Sequence, residues 1–200
     1  MSQNVDTRTR IQQVALELFT EQGYEGTSLR EIAERLGVTK AALYYHFRTK
    51  EDIVGSLVQD RIAAIQRLID WGREQPRTVE TRAELLRRYS DDLHAGRHHL
   101  IMRFFERNQT ALRGQPSGER MRERMLDLLE LLRDPDAPLT TQLKCSMALL
   151  SMHAIWFLFG EGDVTDAQRQ RAALEVALEL VGASDELVGE TTGNRSVTLR

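Results

Sequence analysis

Cysteine occurs once in the chain, at Cys145, and proline only four times in 200 residues. A single cysteine excludes a disulfide within the chain, and a reducing cytoplasm is the expected compartment. Few prolines leave room for long helices. Long apolar runs are also missing. The most apolar stretch, MALLSMHAIWFLF at 147–159, is too short to cross a bilayer and contains His153. The N-terminal MSQNVDTRTR lacks the apolar run of a secretory signal. No nucleophile stands with its base, and no phosphate-binding glycine loop or paired-carboxylate pattern is present. The expectation is therefore no enzyme, no catalytic residue and no cofactor.

What remains is a globular composition, 41% hydrophobic and 28% charged. A net charge of −3 argues against a protein that coats nucleic acid over its whole surface. The charge is unevenly placed. Between Gly26 and Lys50, Arg30, Arg35, Lys40, Arg48 and Lys50 oppose only Glu31 and Glu34, so a small basic head precedes an acidic body.

No segment reads as a strand, and apolar residues recur at helical spacing. Ile11, Val14, Ala15, Leu18 and Phe19 define a first helix that ends at Gly23. Ser28 with Glu31 forms a capping box for a second helix, which stops at Gly37. Thr39 caps a short third helix to about Tyr45. Thr49 with Asp52 opens a long fourth helix striped by Val54, Val58, Ile62, Ile65 and Ile69. Helices are then expected around Leu85–Leu93, LIMRFFERNQTAL, Met121–Leu132, 139–159 and 166–181, the last capped by Thr165 and Gln168. Breaks fall at WGREQPRT, GQPSG and DPDAP. The expected fold is all-α with about nine helices, arranged as a head at 1–50, a helical body at 51–183 and a flexible tail at 184–200.

The stretch SLREIAERLGVTKAALYYHF is read as helix, tight turn, helix. Ile32, Ala33 and Leu36 face inward, Gly37 permits the reversal and Val38 packs under it. In the second helix Ala42 and Leu43 pack, whereas Thr39, Lys40, Ala41, Tyr44 and Tyr45 face out. Such a helix suits the DNA major groove. Ala41 and Ala42 keep its front slim near base edges, and Lys40 reaches guanine acceptors or a phosphate. The tyrosines carry hydroxyls to the phosphates. Arg30 clamps the groove edge, Lys50 sits at a helix start that favours phosphate, and His46 either faces phosphate or caps the helix end.

Arg10 to Val58 resembles the DNA-binding domain of the TetR family of bacterial transcription regulators. The resemblance is carried by Ala15–Phe19 with Gly23, Thr27-Ser28-Leu29-Arg30-Glu31-Ile32-Ala33, Leu36-Gly37-Val38, Leu43-Tyr44-Tyr45-His46-Phe47 and Lys50-Glu51. It implies a three-helix DNA-binding domain joined by the fourth helix to a ligand-binding and dimerisation domain, most often in a repressor. By position, Arg30, Thr39, Lys40, Ala41, Tyr44, Tyr45, His46 and Lys50 fall where that family touches DNA.

The body offers weaker signals. The segment LKCSMALLSMHAIWFLF is apolar on nearly every face, so it is buried internally or partly by a second subunit. With Ala172, Ala173, Val176, Ala177, Leu180 and Val181 of the last helix, it resembles the family's four-helix dimer interface. Candidate lining for a mainly apolar or aromatic effector comprises Trp71, Tyr89, Met102, Phe104, Phe105, Met121, Met125, Met152 and Trp156, each of which serves equally well as ordinary core. His94, His98 and His99 have metal-like spacing, but Gly96 interrupts them and no cysteine completes a site. His153 reads as a satisfied interior histidine. The expectation is a homodimeric, ligand-responsive regulator of a palindromic DNA operator, cytoplasmic, with no membrane contact. The alternatives are an all-α metabolite-binding protein or enzyme with a structural head, and a constitutive DNA-binding protein without a ligand.

Overall fold

The computed structural model describes residues 2–95, 101, 116–159 and 164–182, with 2–6, 95, 116, 117 and 157 described by backbone alone. Among these residues there are eight helices and no strand: α1 (Ser2–Glu21), α2 (Leu29–Leu36), α3 (Lys40–His46), α4 (Lys50–Arg73), α5 (Val79–Ala95), α6 (Pro116–Leu132), α7 (Leu139–Leu158) and α8 (Asp166–Leu180). The helix expected at LIMRFFERNQTAL, apart from Ile101, and the tail at 184–200 lie outside the described residues. The GQPSG break is shorter than the sequence suggests, because α6 already begins at Pro116. Proline suits a first helical turn, where its missing N–H has no intrahelical partner to lose.

The described residues divide into two compact units, one drawn from Met1–Arg67 and Asp92–Leu126, the other from Leu68–Asp91 and Asp127–Arg200. The first unit has its own core of Ile11, Ala15, Leu18, Phe19, Ile32, Ala33, Leu43, Phe47, Ile53 and Val54. Local chemistry fixes the helices that enclose it. The Ser28 hydroxyl accepts the Glu31 N–H and the Glu31 carboxylate accepts the Ser28 N–H, so both members of the capping box are formed. At the other end of α2, Gly37 is left-handed at φ 73°. Its N–H donates to Glu34 O at 3.2 Å and that of Val38 to Ala33 O at 3.0 Å. That double bond pattern ends the helix and turns the chain sharply into α3. Thr39 and Thr49 then cap α3 and α4.

In the second unit Leu86, Tyr89, Leu128, Leu132, Ala148 and Leu149 are fully buried. Gly72 lets α4 approach its neighbours there, since a Cβ on it would lie 2.9 Å from Leu131 Cδ1. Helices α7 and α8 pack along one another. The sequence-based expectation that α7 is covered all round, within the chain or in part by a second subunit, is met on one face only in the chain itself. Cys145, Ala148, Leu149 and Met152 are buried, but Leu139, Leu143, Met147, Leu150 and Leu158 are exposed. No helix among the described residues is long and apolar enough to cross a membrane.

Candidate functional site

The first unit presents α3 as a short helix anchored from below. Leu43 is fully buried and Phe47 nearly so, which fixes which face points outward. Thr39, Lys40, Ala41, Tyr44 and Tyr45 are exposed, and Ala42 and His46 are half-buried. Of the two tyrosines, Tyr45 is the more exposed, at 75% against 41% for Tyr44. Two features set the exposed face. Thr39 Oγ1 accepts the Ala42 N–H at 3.1 Å, which spends the oxygen on the cap and leaves the hydroxyl proton to donate. The Lys40 ammonium lies 5.5 Å from the Tyr44 ring centroid, a cation–π contact that holds both side chains along one side of the helix. Tyr45 meets the His46 ring edge-on at 5.2 Å.

The two flanking cations are already engaged. Arg30 Nε is 2.7 Å from Glu34 Oε1, one helical turn along an exposed face. The Glu34 hydrogen bond, then its charge, raises the guanidinium pKa, so Arg30 stays charged. Lys50 Nζ donates to the Tyr24 carbonyl and sits 4.5 Å from the Tyr24 ring centroid. The Tyr24 hydroxyl donates to Glu51 at 2.7 Å. Burial first, and this bond second, push the Tyr24 pKa well above its ordinary value, whereas the same bond is the main cause of the lowered Glu51 pKa.

The supporting polar residues were not singled out from the sequence. Gln12, 5% exposed, donates to Ser56 Oγ at 2.8 Å and to Asp60 at 2.7 Å. Arg8 pairs with Asp60 at 2.9 Å and lies 5.8 Å from the Phe47 ring centroid. A signal was there: Arg8 and Gln12 are one turn apart on α1, as Ser56 and Asp60 are on α4.

The effector-lining candidates are divided between the two units. Met121 and Met125 fall in the first unit, and Trp71, Tyr89, Met152 and Trp156 in the second. Met102, Phe104 and Phe105, with His98 and His99, lie outside the described residues. Tyr89 and Met152 are buried and both tryptophans half-buried. Arg88 stacks 4.1 Å from the Trp71 ring centroid, which covers the indole on one side. Tyr89 Oη bonds His153 Nε2 at 2.8 Å. The Cys145 thiol is buried, and burial raises its pKa.

A capped helix-turn-helix with an exposed, basic and aromatic second helix defines a DNA-binding protein of the helix-turn-helix class. Residues 11–57 match the family model for bacterial regulatory proteins of the tetR family. The AcrR transcriptional regulator of Shigella flexneri is 48% identical over 52 residues, which cover 26% of this chain and 24% of that protein. The chain thus matches about a quarter of that relative's length. Among solved structures, a transcriptional regulator from Aquifex aeolicus shares the fold with a TM-score of 0.63 at 22% identity, covering 88% of this chain and 99% of that one. AibR, solved with isovaleryl coenzyme A and operator DNA, does so with a TM-score of 0.55 at 22% identity, over 84% and 95% of the two chains. Residues 11–57 thus carry the DNA-binding domain of the tetR family of bacterial regulatory proteins.

Proposed function

We propose that the protein is a repressor that binds a palindromic operator as a homodimer and is released by a small-molecule effector. The carrying observation is the exposed face of α3, where Thr39, Lys40, Ala41, Tyr44 and Tyr45 stand on a helix locked by buried Leu43 and Phe47. Lys40, Ala41 and the Thr39 hydroxyl serve base edges, and Tyr44, Tyr45 and His46 serve the sugar-phosphate wall. Arg30 and Lys50 reach phosphate by exchanging Glu34 and Tyr24 for it. A seven-residue helix reads few bases. Two of them about 34–36 Å apart read two half-sites.

The dimer is supported by exposed Leu139, Leu143, Met147, Leu150 and Leu158 on α7 and by Val176 on α8. Leu139, Leu143, Met147 and Leu150 recur every three or four residues along α7, which makes a stripe suited to a second copy of the same helix pair. A dimer seated on an operator blocks it by occupancy alone, so repression needs no further surface. The effector is read as mainly apolar or aromatic, held in the body. AibR, which has the same fold, was solved with both a small molecule and operator DNA. An effector that binds the DNA-competent form less well lowers operator affinity by the same factor by which DNA lowers its own.

Selection of bound fragments from random DNA by the full-length protein is the test. One short palindrome, bound with strong salt dependence, is the expected product. Unselective binding or none overturns the reading. Analytical ultracentrifugation checks the dimer, and a monomer mass at all concentrations overturns that part.

A further inference from the structure

Lys40 and Tyr44 stand one helical turn apart on α3, so their side chains share a face. Leu43, buried beneath them, keeps that face outward. Helical Cβ atoms tilt toward the helix N-terminus, which lays the Tyr44 ring back over the turn that carries Lys40. The Lys40 ammonium accordingly lies 5.5 Å from the Tyr44 ring centroid. Among the described residues, no hydrogen bond or ion pair engages either side chain. Tyr45 leans the same way toward Ala41, which has no charge to hold, and its ring meets His46 edge-on at 5.2 Å. The two neighbouring tyrosines therefore differ: only Tyr44 holds the lysine.

A lysine carries three N–H donors and no acceptor, on a four-carbon stem with many rotamers. In the major groove guanine offers it two acceptors, N7 and O6. Adenine sets the N6 donor beside N7, thymine sets a methyl group beside O4, and cytosine offers only a donor. The N-terminal residues of a recognition helix are those that meet base edges, and Lys40 opens α3. An unheld ammonium reaches a phosphate as readily as a base, and a phosphate contact carries no sequence information. A ring against one side of the ammonium narrows that choice. It reduces the freedom lost on binding and leaves the remaining N–H groups to an acceptor. The attraction is to the ring face, so the Tyr44 hydroxyl takes no part in it.

We propose that Tyr44 is a positioning residue for base reading: its ring holds the Lys40 ammonium for one guanine in each operator half-site. This rests on the operator-binding reading above. The ring of Tyr44 then sets sequence preference through Lys40, whereas its hydroxyl serves the sugar-phosphate wall and affects all sequences alike.

Full-length wild type, Lys40→Ala, Tyr44→Leu, Tyr44→Phe and Tyr45→Leu each select fragments from random DNA. Affinities are then measured with the guanine whose selection Lys40→Ala loses changed to adenine in one half-site. Wild type is expected to bind about tenfold more weakly after that change, and Lys40→Ala equally well. Tyr44→Leu narrows the discrimination about 2–5-fold, the margin of an exposed cation–π contact. Tyr44→Gln, also without a ring, matches it. Tyr44→Phe keeps the discrimination in full and weakens binding to every sequence by one factor. Tyr45→Leu leaves the guanine preference in place. Lys40→Ala that alters no base preference, or one for a base other than guanine, overturns the proposal. So does a Tyr44→Leu protein with wild-type discrimination, a Tyr44→Phe protein that loses it, or a Tyr45→Leu protein that loses as much as Tyr44→Leu. Both tyrosines are exposed, so melting temperatures should stay near that of wild type. Ringless variants that melt several degrees lower and bind all sequences more weakly by one factor also overturn it, since the ring then serves structure. Each of these outcomes leaves the operator reading standing, whereas a wild type that selects no sequence sinks both.

Discussion

At the scale of single residues, two glycines of the head should respond oppositely to the same substitution. Gly37 has φ 73° and Gly55 lies within α4, and a Cβ at either would meet nothing within 4 Å. Space is therefore not the issue, and backbone conformation decides. Gly37→Ala forces an L side chain into the left-handed region, at a cost of about 1–2 kcal/mol. Gly55→Ala improves helix propensity and should stabilise by about 0.5–1 kcal/mol. Urea denaturation of the two variants checks both signs. The lysines also separate. Lys50 is bonded to Tyr24, so Lys50→Ala should lower the melting temperature while weakening operator binding about equally on all sequences. Lys40 has only an exposed ring beside it. Lys40→Ala should leave the melting temperature nearly unchanged and alter which operator is preferred.

The Tyr24–Glu51 bond gives the head a pH dependence with a definite sign. The folded Glu51 pKa lies below its ordinary value of 4.5, chiefly because Tyr24 donates to the carboxylate. As pH falls through 4.5 the unfolded chain takes up the proton first, so this contribution is present above that value and is lost below it. Tyr24 behaves inversely. Its folded pKa lies above the ordinary 10.0, so its contribution is complete below 10 and disappears as pH rises further. Glu51→Gln should flatten the acid limb of the melting temperature against pH. An unchanged acid limb would show that the bond does not form in solution.

At the scale of elements, caps and periodicity carried most of the fold. Ser28/Glu31, Thr39 and Thr165/Gln168 are short-range signals, and each forms the cap that its spacing predicts. The outward face of α3 was legible for the same reason, since Leu43 and Phe47 share an inward side that positions 40, 41, 44 and 45 avoid. What the sequence concealed were contacts between distant segments. Lys50 looks like a free cation at a helix start, and nothing local reveals that Tyr24, 26 residues earlier, supplies both a carbonyl and a ring. Ser90 reads as a small residue among Leu86, Tyr89 and Leu93, and only burial shows its hydroxyl to be stranded. Helix α7 looks uniformly apolar, so its exposed side could not be assigned without its neighbours. That side predicts a clean separation of effects. Leu143→Glu with Leu150→Glu places charge on residues already 55% and 51% exposed, so the protomer should keep its fold by circular dichroism yet sediment as a monomer.

At the scale of the whole molecule, operator binding has to work against an acidic chain. The net charge is −3, while the residues assigned to phosphate lie within the basic stretch 26–50. Affinity must then come from local contacts and not from the overall field, and salt dependence reads their number. Each phosphate neutralised contributes about 0.9 to the slope of log affinity against log salt. In a dimer each substitution counts twice. Arg30 is the sharpest case because its guanidinium is shared with Glu34. Arg30→Ala should reduce the slope by about 2 and weaken binding most at low salt. Glu34→Gln removes the competing carboxylate without touching the cation, so operator binding should tighten while the slope stays within the wild-type range. If Glu34→Gln weakens binding instead, the Arg30–Glu34 pair orients the guanidinium for phosphate and does not compete with it.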